Sequence, residues 1–263
     1  MKFSIIVVCL NPGEKLNQTL DSILAQTCQD YEIVVKDGGS VDGAIEQMRC
    51  DERICLYTEK DTGIYDAMNQ AVTHARGEFV LFMNCGDSFY DEHVLEKVTQ
   101  CTVQSTRPDN LVLYGDTYSE KTDTMIASAP KITGFTCYRN IPCHQSCIYA
   151  ARLCREKSYD KQYRIRADYD HFLWCYYMAK AEMVHMGVPV STYEGGGFSE
   201  SKKNQKRDKE EHKLITESYM PKGELLQYKL IMLCTLVPLR RFLAENKAFS
   251  GAYHKLKSRI YKH

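Results

Sequence analysis

The chain opens on an apolar run, Phe3-Ser-Ile-Ile-Val-Val-Cys-Leu10, stopped by Asn11-Pro12-Gly13. A run of that length bounded by turn residues predicts a buried strand. Leu16, Leu20, Ile23 and Leu24 follow at helical spacing. Residues 31–36 read as a second strand ended by Asp37-Gly-Gly-Ser40, residues 54–57 as a third, and residues 78–83 as a fourth closed by Asn84-Cys-Gly-Asp87. Ile64, Met68 and Val72 mark another helix before that fourth strand. Strands alternating with helices predict βαβ units, hence a mostly parallel sheet covered on both faces. All strands then end at one edge, where open α/β sheets bind ligands. Asn11, Asp37, residues 59–61 and Asp87 follow the four strands, so polar and acidic groups are expected to converge on one crevice.

After about residue 100 the pattern changes. Residues 111–114 and 146–149 read as strands, 168–181 as a helix and 183–190 as a last strand. Gly195-Gly196-Gly197 is a hinge-like break, followed by a polar, charged run over residues 201–213. The expected organisation is therefore residues 1–100, residues 101–200, and a helical extension over 201–263. In that extension Phe242, Phe249, Tyr253, Leu256 and Ile260 form one helical stripe, with Lys255, Lys257, Arg259 and Lys262 around it.

Charge sharpens this division. The 263 residues carry 34 Lys+Arg and 34 Asp+Glu; residues 201–263 hold 15 and 6 of these, leaving 19 and 28 for the body. An acidic body joined to a basic tail is no platform for sequence-specific nucleic-acid binding. The tail has two readings: peripheral contact with an anionic membrane, or packing on the acidic body or on a second subunit of a homodimer. Composition, 44% hydrophobic and 26% charged, excludes a disordered or collagenous chain. The 12 cysteines form no CxxC pair and several lie in apolar runs, which predicts reduced thiols in a cytosolic protein. Cys143, His144 and Cys147 match no common zinc spacing. No signal peptide or full-length membrane span is legible, so a cytoplasmic chain, soluble or peripheral on the inner face of the membrane, is expected.

The chain has neither a GxGxxG after its first strand nor a GxxxxGK[ST] loop. Carboxylates at the strand ends would repel a diphosphate unless a hard divalent cation sat between them. Asp87 is placed for that bridge; the alternative is that Asp87 or Ser88 caps a helix opening near Asp91.

Four segments carry a resemblance: residues 4–11, residues 32–43, Ala75-Arg-Gly-Glu78 and Phe82-Met-Asn-Cys-Gly-Asp87. In that order they resemble family two of the inverting glycosyltransferases, which has the GT-A fold, a Rossmann-like α/β arrangement with a mostly parallel mixed sheet. Residues 59–69 are similar to the bacterial capsule, exopolysaccharide and O-antigen branch that includes colanic-acid-type enzymes. The resemblance covers residues 3 to about 200. It implies that Asn11, Asp37, Asp61, Asp66 and Asn84 line the donor pocket and that Asp87 holds Mn²⁺ or Mg²⁺. Asn84 and Gly86 stand where relatives often carry Asp.

By the same resemblance Asp168 is the general base, while His144, Gln145 and Asp170 meet the acceptor. Tyr65 and Asp66 also have a structural reading, at a helix start. The implied activity is transfer of a sugar, a hexose for preference, from a nucleotide-diphosphate donor, UDP-sugar favoured, to a hydroxyl of a glycan or lipid-linked acceptor in cell-surface polysaccharide synthesis. The glycines at 195–197 and the charged run after them are expected to act as a lid. The alternative is a non-catalytic relative that binds a nucleotide sugar or a partner.

Overall fold

The first strand, β1 (Phe3–Cys9), is buried along its whole length, as a strand flanked on both sides and covered on both faces must be. It lies at the centre of the first half of a computed structural model that describes residues 1–195 and 204–234. β2 (Tyr31–Asp37) and β4 (Phe79–Phe82) pair parallel with β1 on either side, and β3 (Ile54–Thr58) pairs parallel with β2. The crossovers run through α1 (Lys15–Leu24) and α2 (Ile64–His74). Their buried positions, Leu16, Leu20 and Ile23 on α1 and Ala67, Met68, Ala71 and Val72 on α2, include most of the apolar stripes of the sequence, whereas Ile64 at the start of α2 is exposed.

Beyond β4 come a two-residue strand β5 (Ser88–Phe89), α3 (Val94–Gln104), β6 (Leu111–Ser119), β7 (Thr124–Ile126) and α4 (Gly134–Arg139). A 3-10 turn, His144–Ser146, leads into β8 (Cys147–Ala150), α5 (Ala151–Glu156), α6 (Ala167–Tyr177) and β9 (Glu182–Tyr193). The sheet runs β3-β2-β1-β4-β8-β6-β9-β5, with β7 hydrogen-bonded to β6. β8 enters antiparallel between β4 and β6, and β9 runs parallel to β6. This mixed, helix-flanked sheet is the expected GT-A fold.

Ser146 lies in the 3-10 turn rather than in a strand, and α6 stops at Tyr177 because Ala181 already bonds back to the Cys175 carbonyl on the way into β9. The helix expected near Asp91 begins at Val94, and neither Asp87 nor Ser88 caps it: Ser88 lies in β5, and Asp91 Oδ1 accepts the His93 N–H at 2.9 Å. The 11 cysteines whose side chains are described are free, and Cys9, Cys137, Cys147, Cys154 and Cys175 are buried.

The chain divides into two units, between Ile215 and Thr216. The first holds the sheet and its helices together with α7 (Gln205–Tyr219) as far as Ile215; the described part of the second consists of the end of α7 and α8 (Lys222–Cys234). The charged run read as the second half of a lid is thus helical from Gln205 and bonded to the loop before α6. Gly196, Gly197, the rest of the segment to residue 203 and the basic stripe at 242–260 lie outside the described residues. Among the described residues no helix is long and apolar enough to cross a membrane.

Candidate active site

Parallel register sets Cys9, Asp37 and Thr58 side by side at the ends of β1, β2 and β3. Asp37 is buried and folds back on its own turn, its Oδ1 accepting the Ser40 N–H at 3.0 Å and the Ser40 hydroxyl at 2.6 Å. Asn11, in the left-handed region at φ 49°, gives its N–H to Ser40 Oγ at 2.8 Å and accepts the Val41 N–H at 2.9 Å. Asn11, Asp37 and the turn after β2 are therefore tied into one hydrogen-bonded unit.

Beneath them sits Lys36, whose side chain is 0% exposed. Its Nζ donates to the carbonyls of Asp37, at 3.0 Å, and Glu59, and lies 3.3 Å from Asp61 Oδ2. One buried cation thus ties the ends of β2 and β3 together and fixes the Asp61 carboxylate against Gly38. A Cβ at residue 38 would stand 2.7 Å from Asp61 Oδ2, so any other residue there would push that carboxylate aside. Lys36→Met is expected to leave these oxygens without their donor and to cost about 3–5 kcal/mol. A urea unfolding curve that shifts by less than about 1 kcal/mol would refute that account.

On the other side of β1, Thr19 of α1 holds the turn after β4, donating to the Asp87 carbonyl at 2.9 Å and accepting the Gly86 N–H at 2.9 Å. Asp87 is 5% exposed, and its Oδ2 accepts from Gln145 Nε2 at 2.8 Å. Burial pushes its carboxyl up to about 6, against the Gln145 bond and a Glu194 backbone N–H that favour the anion. Glu194 is itself ion-paired with Lys15.

The residue beside Gln145 faces the second carboxylate. His144 Nδ1 lies 3.8 Å from Asp168 Oδ2, and Nε2 lies 3.0 Å from Asn84 Nδ2. The acidic neighbour assigns the ring proton to Nδ1, leaving Nε2 to accept from the Asn84 amide. Burial lowers the His144 pKa and the Asp168 charge opposes that only in part, so the ring is neutral near pH 7. Tyr65 Oη shares its proton between Asp168 Oδ1 at 2.9 Å and the Ile165 carbonyl at 2.7 Å. Burial first, and Asp168 second, raise that phenol well above its ordinary value, so it stays a donor. Asp168 stands in the first turn of α6, where the helix N-terminus favours an anion. Asp87, Gln145, His144 and Asp168 form one connected row.

The comparison with protein families matches residues 4–152, through β8, to the model described as Glycosyl transferase family 2. The chain belongs to glycosyl transferase family 2. A PGL/p-HBAD biosynthesis glycosyltransferase of Mycobacterium bovis is 35% identical over 204 residues, covering 75% of this chain and 78% of that one. An uncharacterized glycosyltransferase of Mycobacterium tuberculosis is 26% identical over 175 residues, 65% of this chain and 67% of the relative. Among solved structures, Staphylococcus aureus TarS 1-349 in complex with UDP-GlcNAc aligns with a TM-score of 0.63 at 21% identity, covering 76% of this chain and 61% of that chain. The mannosyltransferase PcManGT from Pyrobaculum calidifontis, in complex with GDP-Man and Mn²⁺, aligns at 0.57 and 16% identity, over 73% of this chain and 56% of its own. This chain thus spans about three-fifths of those solved chains, and the likeness is one of fold.

Family 2 enzymes commonly use a divalent cation. Among the described residues no three His, Cys, Asp or Glu side chains group as a metal site. Asp87 supplies one hard oxygen, and in the same turn Asn84 Oδ1 is buried without a hydrogen-bond partner. Such a set suits Mg²⁺ or Mn²⁺ that takes its remaining oxygens from a diphosphate and water.

Three expected contacts land elsewhere. Asp66, in the first turn of α2, is engaged by protein partners, its Oδ2 accepting the Thr62 N–H and hydroxyl at 2.9 Å each and its Oδ1 pairing with Lys161 at 2.9 Å. Asp170 is two residues beyond Asp168 on a helix, hence on another face; it is buried, 3.3 Å from Lys157 Nζ. Gln145 is buried against Asp87 rather than free for an acceptor. Sequence reasoning passed over Lys36, although a cation closing a strand's apolar run signals a buried partner. The pairing of Tyr65 with Asp168, 103 positions apart, had no such signal.

Proposed function

We propose that the chain is an inverting transferase that moves a sugar from a nucleoside-diphosphate donor, UDP-sugar favoured, to a hydroxyl of a glycan or lipid-linked acceptor in cell-surface glycan synthesis. The observation that carries the reading is the row just described: a carboxylate suited to a diphosphate-bound cation and a carboxylate suited to a base meet neighbouring residues of one turn, 144 and 145. Direct displacement at an anomeric carbon needs both, one at the leaving diphosphate and one at the incoming hydroxyl.

In this reading Asp37, Asp61 and Asn11 bound the nucleoside end of the donor, and Lys36 keeps the Asp61 carboxylate in place. Asp87, with Asn84 Oδ1, would hold Mn²⁺ or Mg²⁺; the cation, when bound, supplies charge stabilisation for the departing diphosphate. Asp168 takes the acceptor proton. Tyr65 orients Asp168 through Oδ1, and the neutral His144 ring beside Oδ2 leaves the carboxylate unneutralised. The UDP and UDP-GlcNAc complexes of TarS support a uridine donor.

A thermal-shift panel of UDP-, GDP-, dTDP- and CMP-sugars, each with Mn²⁺ or with EDTA, tests this. Stabilisation by UDP-sugars only with metal is the expected result. Stabilisation that persists in EDTA would remove the cation from the reading, and silence across the panel would remove the donor site.

A further inference from the structure

We propose that Glu211, on the charged helix α7, is a positioning residue that frees Asp168 for proton transfer. The inference rests on the reading of Asp168 as the base. The turn entering α6 presents three consecutive backbone N–H groups, and all three end on one side chain: Arg164 N–H on Glu211 Oε1 at 3.0 Å, and Ile165 and Arg166 N–H on Oε2 at 2.9 and 3.0 Å. Glu211 is 4% exposed, and Arg207, one turn earlier on α7, donates to its Oε1 at 2.9 Å. Arg166 in turn gives its guanidinium to Asp208, at 2.9 Å to Oδ2 and 3.1 Å to the carbonyl. Two α7 side chains, Glu211 and Asp208, thus grip the residues immediately before α6, and Arg207 braces Glu211.

The position of this grip gives it meaning. Arg166 is the N-cap of α6, and no side chain of its own caps the helix. In a capping box the side chain of the third helical residue takes the N-cap N–H; in α6 that residue is Tyr169, which has no carboxylate to do so. Glu211 receives the Arg166 N–H from outside the helix, and Asp168, the second helical residue, keeps its oxygens on Tyr65 and His144. The Ile165 carbonyl that shares the Tyr65 proton belongs to a residue whose N–H is held by Glu211. Losing Glu211 leaves three N–H groups seeking an acceptor, and the Asp168 carboxylate is within the same turn.

A double-mutant cycle tests this, with turnover read as UDP release from a mixture of UDP-Glc, UDP-Gal, UDP-GlcNAc and UDP-GlcA, and donor-site integrity read as UDP affinity by calorimetry. Glu211→Gln is expected to lower kcat tenfold or more while the Kd for UDP stays within twofold. In the Asp168→Asn background the same change should cost nothing further. Arg207→Gln, which removes only the cation partner of Glu211, should give a smaller loss that also vanishes in that background, and it serves if Glu211→Gln does not fold. An undiminished kcat in Glu211→Gln, or an equal loss in both backgrounds, overturns the proposal while leaving Asp168 as the base. Full turnover in Asp168→Asn, or a wild-type chain silent with all four donors, overturns the underlying reading and the proposal with it.

Discussion

Asp168→Asn is expected to lower turnover at least a hundredfold with the fold and donor affinity unchanged. Asn has the shape of Asp and its carbonyl oxygen can still accept the Tyr65 proton at the 2.9 Å position. It cannot take a proton from an incoming hydroxyl, and general-base catalysis is worth about 10²–10⁴ in rate. A hundredfold loss corresponds to about 2.7 kcal/mol of transition-state stabilisation. The measurement is kcat beside the Kd for UDP and a melting curve; near-normal kcat would exclude Asp168 as the base.

Asp87→Asn is expected to separate activity from stability. Folding raises this carboxyl from its ordinary 3.8 to about 6, with burial as the leading cause. A group whose pKa is raised on folding contributes stability that is present below the unfolded value and lost as pH rises through the folded one. At pH 7.5 the folded chain therefore carries the cost of an ionised, buried carboxylate, up to roughly 3 kcal/mol at about 1.4 kcal/mol per unit. Asn can still accept from Gln145 without that charge. The variant should melt higher than wild type at pH 7.5 without metal, show no such gain at pH 4, and turn over at least a hundredfold more slowly. Because the ionised form is the one that holds a cation, wild-type turnover at limiting Mn²⁺ should climb between pH 5 and 7. A variant that is both less stable at pH 7.5 and fully active would refute both roles.

The parallel half of the fold was legible because its signal is local. β1, β2 and β4 are apolar runs closed by turns of Asn, Asp or Gly, and because the three strands run parallel, the turns carrying Asn11, Asp37 and Asp87 follow the same edge of the sheet. The later elements were less legible, since β5 has two residues, β7 three and α4 six, too few to show a period. Site contacts divide in the same way. Asp87 and Asp168 were named from motif positions, whereas the bridge between them depends on β8 entering beside β4, a pairing no local pattern announces. Asp66 and Asp170 share the chemistry of the others, but the helix periodicity that puts each on its own face becomes usable only once the ends of α2 and α6 are known. Glu211 lay in a stretch that read as a polar, charged run and part of a lid, because its partners are backbone N–H groups 45 to 47 positions away.

The turn holding His144 and Gln145 feeds directly into β8, and β8 is an interior strand, laddered to β4 on one side and β6 on the other. An interior strand cannot slide without unzipping two ladders at once. The separation of the two carboxylates, Asp87 on Gln145 and Asp168 beside His144, is therefore anchored to a strand held in two ladders. A change in the loops around this turn would leave that separation in place as long as both ladders hold.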